Sequence, residues 1–314
     1  MRAWTVPQLG RPAEVLTLRD VDTPTPDDGR TLVRVHAAAL NFADILYCTG
    51  EYQERPPLPF TPGLEVAGET ADGTRVFGPA ALPHGGFAEY AVLTTTYPWP
   101  DGMTAAQASG FFVSYQTGWC ALHHRTTLSA GETLLVHAAA GGVGAAAVQL
   151  GKAAGATVIA TVGSVDKVEV ARSLGADHVL GPDDDLVPAV KDLTGGRGAD
   201  VVYDPVGGDT FDASRRAVAW EGRILIIGFA GGRIAEAPTN HALVKNYSVI
   251  GVHWNAYRQR APELVEAWQR ELEALWARRA IDPLVGAEYP FDQLPAALDA
   301  LAARTTTGRV VLVP

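Results

Sequence analysis

Six short apolar runs alternate with helix-length segments between Gly131 and Trp254, and this alternation constrains the fold more than any other feature of the chain. The runs lie at residues 133–138, 157–162, 178–181, 200–206, 223–229 and 248–254. They are nearly continuous in apolar residues, as strands buried on both faces of a sheet are. Helices are predicted between them, at residues 143–154, 165–174, 186–193 and 210–219. This order predicts an α/β fold with a parallel, doubly wound sheet.

The segments on either side have a different pattern. The first 110 residues contain short β-like runs broken by Gly and Pro, notably "ERPPLPFTPG" at residues 54–63. They predict a separate, mainly β domain. After the sheet region, residues 261–280 carry apolar side chains at helical spacing, and "GRVVLVP" predicts one more strand. A chain of 314 residues is long enough for two domains.

Charge and composition exclude several classes of protein. The formal net charge is −10, whereas binding to nucleic acid or to an anionic membrane requires a basic surface. We see no signal-peptide pattern at the N-terminus and no apolar stretch long enough for a membrane span, so we expect a cytoplasmic location. Cys48 and Cys120 are the only cysteines, which excludes a disulfide framework and a four-cysteine zinc site.

The first predicted strand runs into the glycine-rich stretch "HAAAGGVG" at residues 137–144. A strand, a glycine-rich turn and a helix are the context in which such a motif indicates dinucleotide binding. The helix N-terminus offers unpaired N–H groups to a pyrophosphate, and the missing side chains let the phosphates approach. Ala139 stands where the usual motif has its first glycine. The predicted contacts are Gly141, Gly142, Val143 and Gly144.

The end of the second predicted strand indicates which nicotinamide cofactor binds. An acidic residue there would bind a free ribose 2′-OH. Instead the sequence has Gly163 and Ser164, with Lys167 one turn later. A hydroxyl and a lysine suit a 2′-phosphate, so we favour NADP(H). Asp166 is read as a charge at the start of a helix.

Five motifs together resemble the quinone oxidoreductase (zeta-crystallin-like) branch of the medium-chain dehydrogenase/reductases. They are "LNFADIL", "GLEVAGE", "HAAAGGVG", "TVGSVDK" and "VVYDPVGG", in the family's order over nearly the whole chain. The resemblance implies a Rossmann domain inserted in a GroES-like, mainly β catalytic domain. We place the catalytic domain at residues 1–112 and 256–314, and the NADP(H)-binding domain at 113–255.

The resemblance also implies a reaction without zinc. Zinc-dependent cousins have a Cys and a His where this chain has Asn41 and Leu64, and neither is a zinc ligand of the expected kind. We therefore expect no metal. Without a Lewis acid, the acceptor of the hydride must already be electron-poor, as quinones and α,β-unsaturated carbonyls are.

Individual roles follow from the resemblance position by position. It implies that Asn41, Phe42 and Asp44 lie beside the nicotinamide, and that Asn41 and Tyr52 donate hydrogen bonds to an acceptor oxygen. Asp44 is expected to orient the cofactor, and the catalytic residues are thus Asn41, Asp44 and Tyr52. Further cofactor contacts are predicted after the fifth strand, on the sixth strand, and at two outlying positions: Gly228, Phe229, Ala230, Val252, His253, Trp254, Trp119 and Arg304.

These residues favour an NADPH-dependent quinone reductase. An enoyl or 2-alkenal reductase shares the fold and the hydride step, and a non-catalytic NADPH-binding protein of the crystallin kind is the alternative from another class. The expected partner is a small quinone or enone substrate, with no nucleic acid and no membrane. By resemblance we also expect a homodimer that pairs through the last strand of the cofactor domain.

Overall fold

The computed structural model describes residues 1–27 and 29–314, which form two compact units. The first unit combines Met1–Val113 with Pro283–Pro314, and the second is Ser114–Asp282. The first boundary lies within one residue of the predicted one. The second differs, because the chain returns to the first unit at Pro283 and not at residue 256.

The late helix, Pro262–Ala277, explains this difference. It buries Val265, Trp268, Leu272 and Leu275, the apolar stripe expected from the sequence, within the second unit. Gln116 Nε2 donates to the backbone oxygen of Val265 at 3.1 Å, which ties the helix to that unit.

The elements follow in chain order. The first segment contains strands β1 (Arg2–Thr5), β2 (Thr17–Asp20), β3 (Thr31–Ala39), β4 (Glu65–Glu69), β5 (Arg75–Pro79), β6 (Tyr90–Leu93) and β7 (Tyr97–Pro98), and helices α1 (Pro12–Val15), α2 (Phe42–Thr49) and α3 (Ala105–Ser109). Helix α4 (Phe111–Trp119) carries the chain across the first boundary and continues as a π-helix, Cys120–Arg125.

The second unit and the return segment complete the chain. The strands of the second unit are β8 (Thr133–Val136), β9 (Thr157–Thr161), β10 (His178–Leu180), β11 (Ala199–Asp204), β12 (Val218–Ile226) and β13 (Ser248–Gly251). Its helices are α5 (Gly142–Ala153), α6 (Val168–Ser173), α7 (Leu186–Leu193), α8 (Gly208–Ala217), α9 (Thr239–Lys245), α10 (Tyr257–Arg260) and α11 (Pro262–Ala277), with 3₁₀ turns at Val165–Lys167 and Trp254–Ala256. The return segment holds β14 (Val285–Pro290), a 3₁₀ turn (Phe291–Gln293), α12 (Leu294–Ala302) and β15 (Arg309–Val313).

The first unit is built on a mixed sheet in the order β14-β15-β3-β4-β5-β7, with β6 also paired to β3. Among the described strands of this sheet, β14 and β15 pair in parallel, and the other pairs are antiparallel. The last strand therefore completes a sheet that begins in the first segment, as the resemblance to a GroES-like domain predicted.

The second unit contains a six-stranded sheet in the order β10-β9-β8-β11-β12-β13, in which every pair is parallel. This order reverses between β8 and β11, and ligands of doubly wound sheets bind where the strand order reverses, at the carboxyl ends of the strands. The predicted α/β Rossmann fold is confirmed.

Several strand ends differ from the predicted ones, and the ends of β11 and β13 and the start of β12 are among them. Strand β11 ends at Asp204 because Asp204 Oδ1 accepts from the N–H groups of Val206 and Gly207, both at 2.9 Å, and turns the chain. Strand β12 begins at Val218, directly after α8, and not at residue 223. Strand β13 ends at Gly251, so Val252, His253 and Trp254, which were predicted to lie on this strand, follow it.

Both cysteines are buried, and burial raises the pKa of each thiol to about 12. Among residues 1–27 and 29–314, no helix combines the length and the apolar character that a membrane crossing requires.

Candidate functional site

A buried carboxylate holds the loop before helix α2 in the first unit. The backbone N–H of Asn41 donates to Asp44 Oδ2 at 2.7 Å, and the N–H of Gly63 donates to Asp44 Oδ1 at 3.1 Å. Gly63 has a φ of +104°, and a Cβ there would lie 2.7 Å from the backbone nitrogen of Phe87. Only glycine can therefore bring its N–H to this carboxylate. Asp44 fixes the start of α2 against the Gly63 loop.

Both the oxygen and the nitrogen of the Asn41 side-chain amide form hydrogen bonds within the first unit. Its Oδ1 accepts from Nη1 and Nη2 of Arg309 at 3.1 and 3.2 Å, and its Nδ2 donates to Glu65 Oε1 at 3.1 Å. Arg309 also donates to Glu65, whose other oxygen accepts from the N–H of Val113 at 2.8 Å. We call Asn41, Asp44, Glu65 and Arg309 the charged network, and all four side chains are buried.

Sequence reasoning missed Glu65 and Arg309. Each gave a signal, because an acid within the apolar run "GLEVAGE" and a base beside the apolar run "VVLVP" are unusual. Buried charged side chains are nearly always paired. The partner could not be read from the sequence, since 244 positions separate the two residues.

Burial changes the protonation of the charged network. It raises the pKa of Asp44 to about 7, although the N–H groups of Asn41 and Gly63 favour the charged form. Burial also raises the pKa of Glu65, against the opposing effect of Arg309. One guanidinium faces two carboxyl groups, so we infer that the network binds a proton near neutral pH.

Tyr52 lies in an aromatic pair of the first unit. Its ring centroid is 4.5 Å from that of Tyr47, and its side chain is half-buried. Burial, with the nearby carboxyl groups of Glu54 and Asp44, raises the pKa of Tyr52, so its phenol keeps the proton and can donate it in a hydrogen bond. Tyr47 is buried, and its hydroxyl lies 3.3 Å from Glu54 Oε2.

The glycine-rich turn of the second unit joins β8 to α5. The N–H of Gly141 donates to the carbonyl of Ala138 at 2.9 Å, and α5 begins at the next residue, Gly142. A Cβ on Gly144 would lie 2.2 Å from the oxygen of Ala138, so glycine is required where the helix passes the turn. The first N–H groups of a helix have no acceptor within it and attract anions. The turn therefore has the form of a phosphate site.

The end of β9 carries the residues predicted to select the cofactor. The strand ends at Thr161, after which Gly163 is exposed and Ser164 half-buried. Lys167 ends the 3₁₀ turn that follows. The carboxyl ends of β8 and β9 are adjacent in the sheet, so the structure brings this segment and the glycine-rich turn to the same edge.

Six further predicted cofactor residues of the second unit follow strands β12 and β13. Ala230 donates its N–H to the oxygen of Pro205 at 3.0 Å, next to the exposed ring of Phe229, and Gly228 precedes them. Val252 donates to the oxygen of Ile226 at 3.0 Å. The exposed His253 comes next, and Trp254 begins a 3₁₀ turn.

Three more predicted cofactor residues lie away from the carboxyl ends of the parallel strands. Trp119 ends α4, with its ring centroid 4.3 Å from that of His123. Arg304 is exposed, with a φ of +58°, and Phe42 packs against the core of the first unit. The first unit thus holds Arg304 and Phe42 together with Asn41, Asp44 and Tyr52. The catalytic role of Tyr52 and the cofactor role of the other four stay predictions.

The chain is similar to dehydrogenases and reductases along its length. A family described as "Alcohol dehydrogenase GroES-like domain" matches residues 27–101, and one described as "Zinc-binding dehydrogenase" matches residues 142–270. The quinone oxidoreductase-like protein 2 of Bos taurus is 38% identical, and the match covers 99% of this chain and 92% of that protein.

Solved structures of related proteins are similar to this chain over its whole length. A mycobacterial protein complexed with NADPH is 32% identical, with a TM-score of 0.93, and the match covers 100% of both chains. The Escherichia coli quinone oxidoreductase complexed with NADPH is 28% identical, with a TM-score of 0.92 and the same coverage. Fold and comparisons together define a medium-chain dehydrogenase/reductase. Within that class, the chain belongs to the quinone oxidoreductase branch, as its motifs predicted.

The residues at the zinc-ligand positions do not fit the zinc in the description of the second family. The amide of Asn41 is bonded to Arg309 and Glu65, and Leu64 packs against an apolar cluster that includes Phe60. In the described part of the chain, no group of three or more His, Cys, Asp or Glu side chains could hold a metal ion.

Proposed function

We propose that this chain is an NADPH-dependent reductase that transfers a hydride to a quinone or a similar conjugated acceptor. The observation that carries the proposal is the glycine-rich turn at the N-terminus of α5, where the strand order of a parallel sheet reverses. Two relatives with this fold, from a mycobacterium and from Escherichia coli, are complexed with NADPH. When bound, NADPH supplies the hydride from its nicotinamide ring.

The second unit offers groups for both phosphate positions of the cofactor. The N–H groups of Gly142, Val143 and Gly144 at the start of α5 suit the pyrophosphate. Gly141, whose N–H donates to Ala138, is a proposed contact because it has no side chain to hold the phosphates away. Ser164 and Lys167 follow the adjacent strand and offer a hydroxyl and a cation to the 2′-phosphate. A chain with this pair is expected to prefer NADPH over NADH.

The first unit offers a hydrogen-bond donor for the acceptor. Asn41 and Tyr52 were both predicted as donors, but the Asn41 amide already donates to Glu65. We therefore propose that Tyr52 donates to the acceptor oxygen and that Asn41 and Asp44 hold the loop in place. A conjugated acceptor suits this arrangement, because its developing negative charge delocalises onto an oxygen that one donor can stabilise.

Steady-state oxidation of NADPH with a benzoquinone, with a small enone and without an acceptor tests the function. Turnover of the quinone is the expected result. Turnover of the enone alone would instead indicate an enoyl or alkenal reductase, and binding of NADPH without oxidation would indicate a non-catalytic protein. Tyr52→Phe is expected to lower kcat for the quinone by about 100-fold. Tyr90→Phe, on strand β6, is the matched control and is expected to leave kcat unchanged.

Cofactor preference is tested separately with Lys167→Ala. The KM for NADPH is expected to rise by about 10-fold or more, because a charged hydrogen bond is lost, while the KM for NADH changes little. Lys191→Ala is the control, because it removes the same charge from an exposed position on helix α7. Equal effects of Lys167→Ala on the two cofactors would contradict the assignment of Lys167.

We also propose a homodimer that pairs through β13, the last strand in the order of the parallel sheet. An edge strand presents N–H and C=O groups that can pair with another chain. Val249 on this strand, and Leu243 and Val244 on the preceding helix, expose apolar side chains. Light scattering is expected to give twice the chain mass of 33.2 kDa, and Val249→Lys to shift the mass toward the monomer. A cytoplasmic location stays a prediction.

A further inference from the structure

The residue that precedes the glycine-rich turn, His137, lies in a buried group of side chains to which sequence analysis assigned no role. Its Nδ1 lies 3.0 Å from Thr161 Oγ1, and its Nε2 lies 2.7 Å from Ser214 Oγ. His137 is 1% exposed, and Ser214 is fully buried. We call His137, Thr161 and Ser214 the imidazole network. It joins the end of β8, the end of β9 and the middle of α8.

The hydrogen bonds determine which nitrogen of His137 carries the proton. Ser214 Oγ donates to the backbone oxygen of Thr210 at 2.7 Å, so its single proton is already used. It must accept from Nε2–H of His137. The unprotonated Nδ1 then accepts from the hydroxyl of Thr161. Burial lowers the pKa of His137 to about 4, although Asp204 acts in the opposite direction, which agrees with a neutral imidazole.

The backbone around His137 shows what the imidazole network holds in place. The N–H of His137 donates to the backbone oxygen of Tyr203 on β11 at 3.1 Å. The N–H of Ala139 donates to the backbone oxygen of Thr161 on β9 at 3.0 Å. Between them, Ala138 has a φ of +49°, which an L-residue rarely adopts. The turn is thus fixed to both neighbouring strands. Thr161 is bonded twice, by its backbone oxygen and by its side chain.

We propose that His137, as the neutral Nε2–H tautomer, is a positioning residue for the dinucleotide. It sets the separation between the glycine-rich turn, assigned to the pyrophosphate, and residues 163–167, assigned to the 2′-phosphate. The inference rests on the proposed NADPH function. The two phosphate positions of the cofactor are a fixed number of bonds apart, so a change in this separation weakens both contacts together. Recognition of the adenosine half should therefore depend on the imidazole network.

Thr161→Val tests this proposal, because it removes one hydroxyl and keeps nearly the same shape. Dissociation constants are measured by calorimetry for NADPH and for 2′-phospho-ADP-ribose, which carries both phosphate groups without the nicotinamide. Both constants are expected to rise by about 3- to 10-fold. Ser214→Ala breaks the other bond of His137 and is expected to act in the same direction. Thr161→Ser keeps a hydroxyl and is expected to restore most of the affinity.

Controls separate positioning from general stability. Thr157→Val makes the same change at the exposed start of β9 and is expected to leave both constants unchanged. The melting temperature of each variant without ligand is measured in parallel. A lower melting temperature with unchanged dissociation constants for Thr161→Val and Ser214→Ala would show a purely structural role and overturn the inference. Failure of the unaltered chain to bind NADPH would instead overturn the proposed function, and the inference with it.

Discussion

Each unit contains a buried polar network, and the two networks differ in charge. The charged network of the first unit balances a guanidinium against two carboxyl groups, whereas the imidazole network of the second unit is neutral throughout. Both lie beside residues predicted to act in binding or catalysis. The cost of burying a titratable group is thus offset in two ways, by pairing opposite charges or by keeping the group uncharged between hydrogen-bond partners.

The two solutions give opposite responses to pH. The pKa of His137 is lowered in the folded chain. As the pH drops from about 6.5 toward 4, the imidazole is therefore protonated in the unfolded chain but not in the folded one, and the free energy of unfolding falls. The pKa of Asp44 is raised to about 7, so the stability that its protonated form contributes is lost as the pH rises through that value. Three substitutions test how the two networks differ, the first through charge pairing and the other two through pH dependence.

The largest effect is expected for Arg309→Met in the charged network. It leaves Glu65 buried without its cation, which typically costs about 3–5 kcal/mol in the free energy of unfolding, measured by urea denaturation. Arg2→Met is the matched control, because Arg2 pairs with Glu89 in the same unit with 52% of its side chain exposed, and its loss should cost at most about 1 kcal/mol.

A double variant separates the charge from the packing. Adding Glu65→Gln to Arg309→Met is expected to recover part of the lost stability, because no buried charge then lacks a partner. Equal losses for Arg309→Met and Arg2→Met would show that burial does not strengthen the dependence of Glu65 on its cation.

An intermediate effect is expected for His137→Phe, seen as a change in pH dependence. The unaltered chain should lose about 2–3 kcal/mol between about pH 7 and pH 4.5 through His137, because the imidazole must stay neutral in the fold. Urea denaturation at the two pH values should show that the free energy of unfolding of the variant falls by about 2–3 kcal/mol less than that of the unaltered chain. A difference between the two chains that does not change with pH would contradict a buried, neutral imidazole.

The smallest effect is expected for Asp44→Asn, with the opposite sign. As the pH rises from about 5 to 8, the unaltered chain should lose about 1–2 kcal/mol relative to the variant, less than a lone carboxyl would because Glu65 shares the proton. The variant cannot ionise at this position, so the difference between the two unfolding free energies reports Asp44. If the difference between the two chains did not change over this range, the carboxyl would be charged throughout.

Much of the fold could be predicted because its signals are local. The apolar runs and the glycine-rich turn are contiguous in the sequence, and strands β8, β9 and β10 begin at the predicted residues. Boundaries set by distant contacts were less accurate. The return to the first unit was misplaced because only the packing of α11 shows which unit it joins.

The residues of the candidate site likewise include some that a local motif indicates and others that only distant contacts reveal. Gly144 and Lys167 could be selected from short motifs with a known physical use. Glu65, Arg309 and His137 were missed as functional candidates, because what distinguishes them is a partner far away in the chain. Asn41 was selected from its motif as a hydrogen-bond donor to the acceptor, but its bonds to Glu65 and Arg309 changed the role that we propose for it.

The alternation of strands and helices, the glycine-rich turn, the family and the absence of the usual zinc ligands can all be read from the amino-acid sequence. Which buried polar groups meet, and which of them carry charge, depends on the tertiary fold. The physical reason is that helix, strand and turn preferences depend on neighbouring residues, whereas the pKa of a side chain depends on burial and on the groups that folding brings beside it.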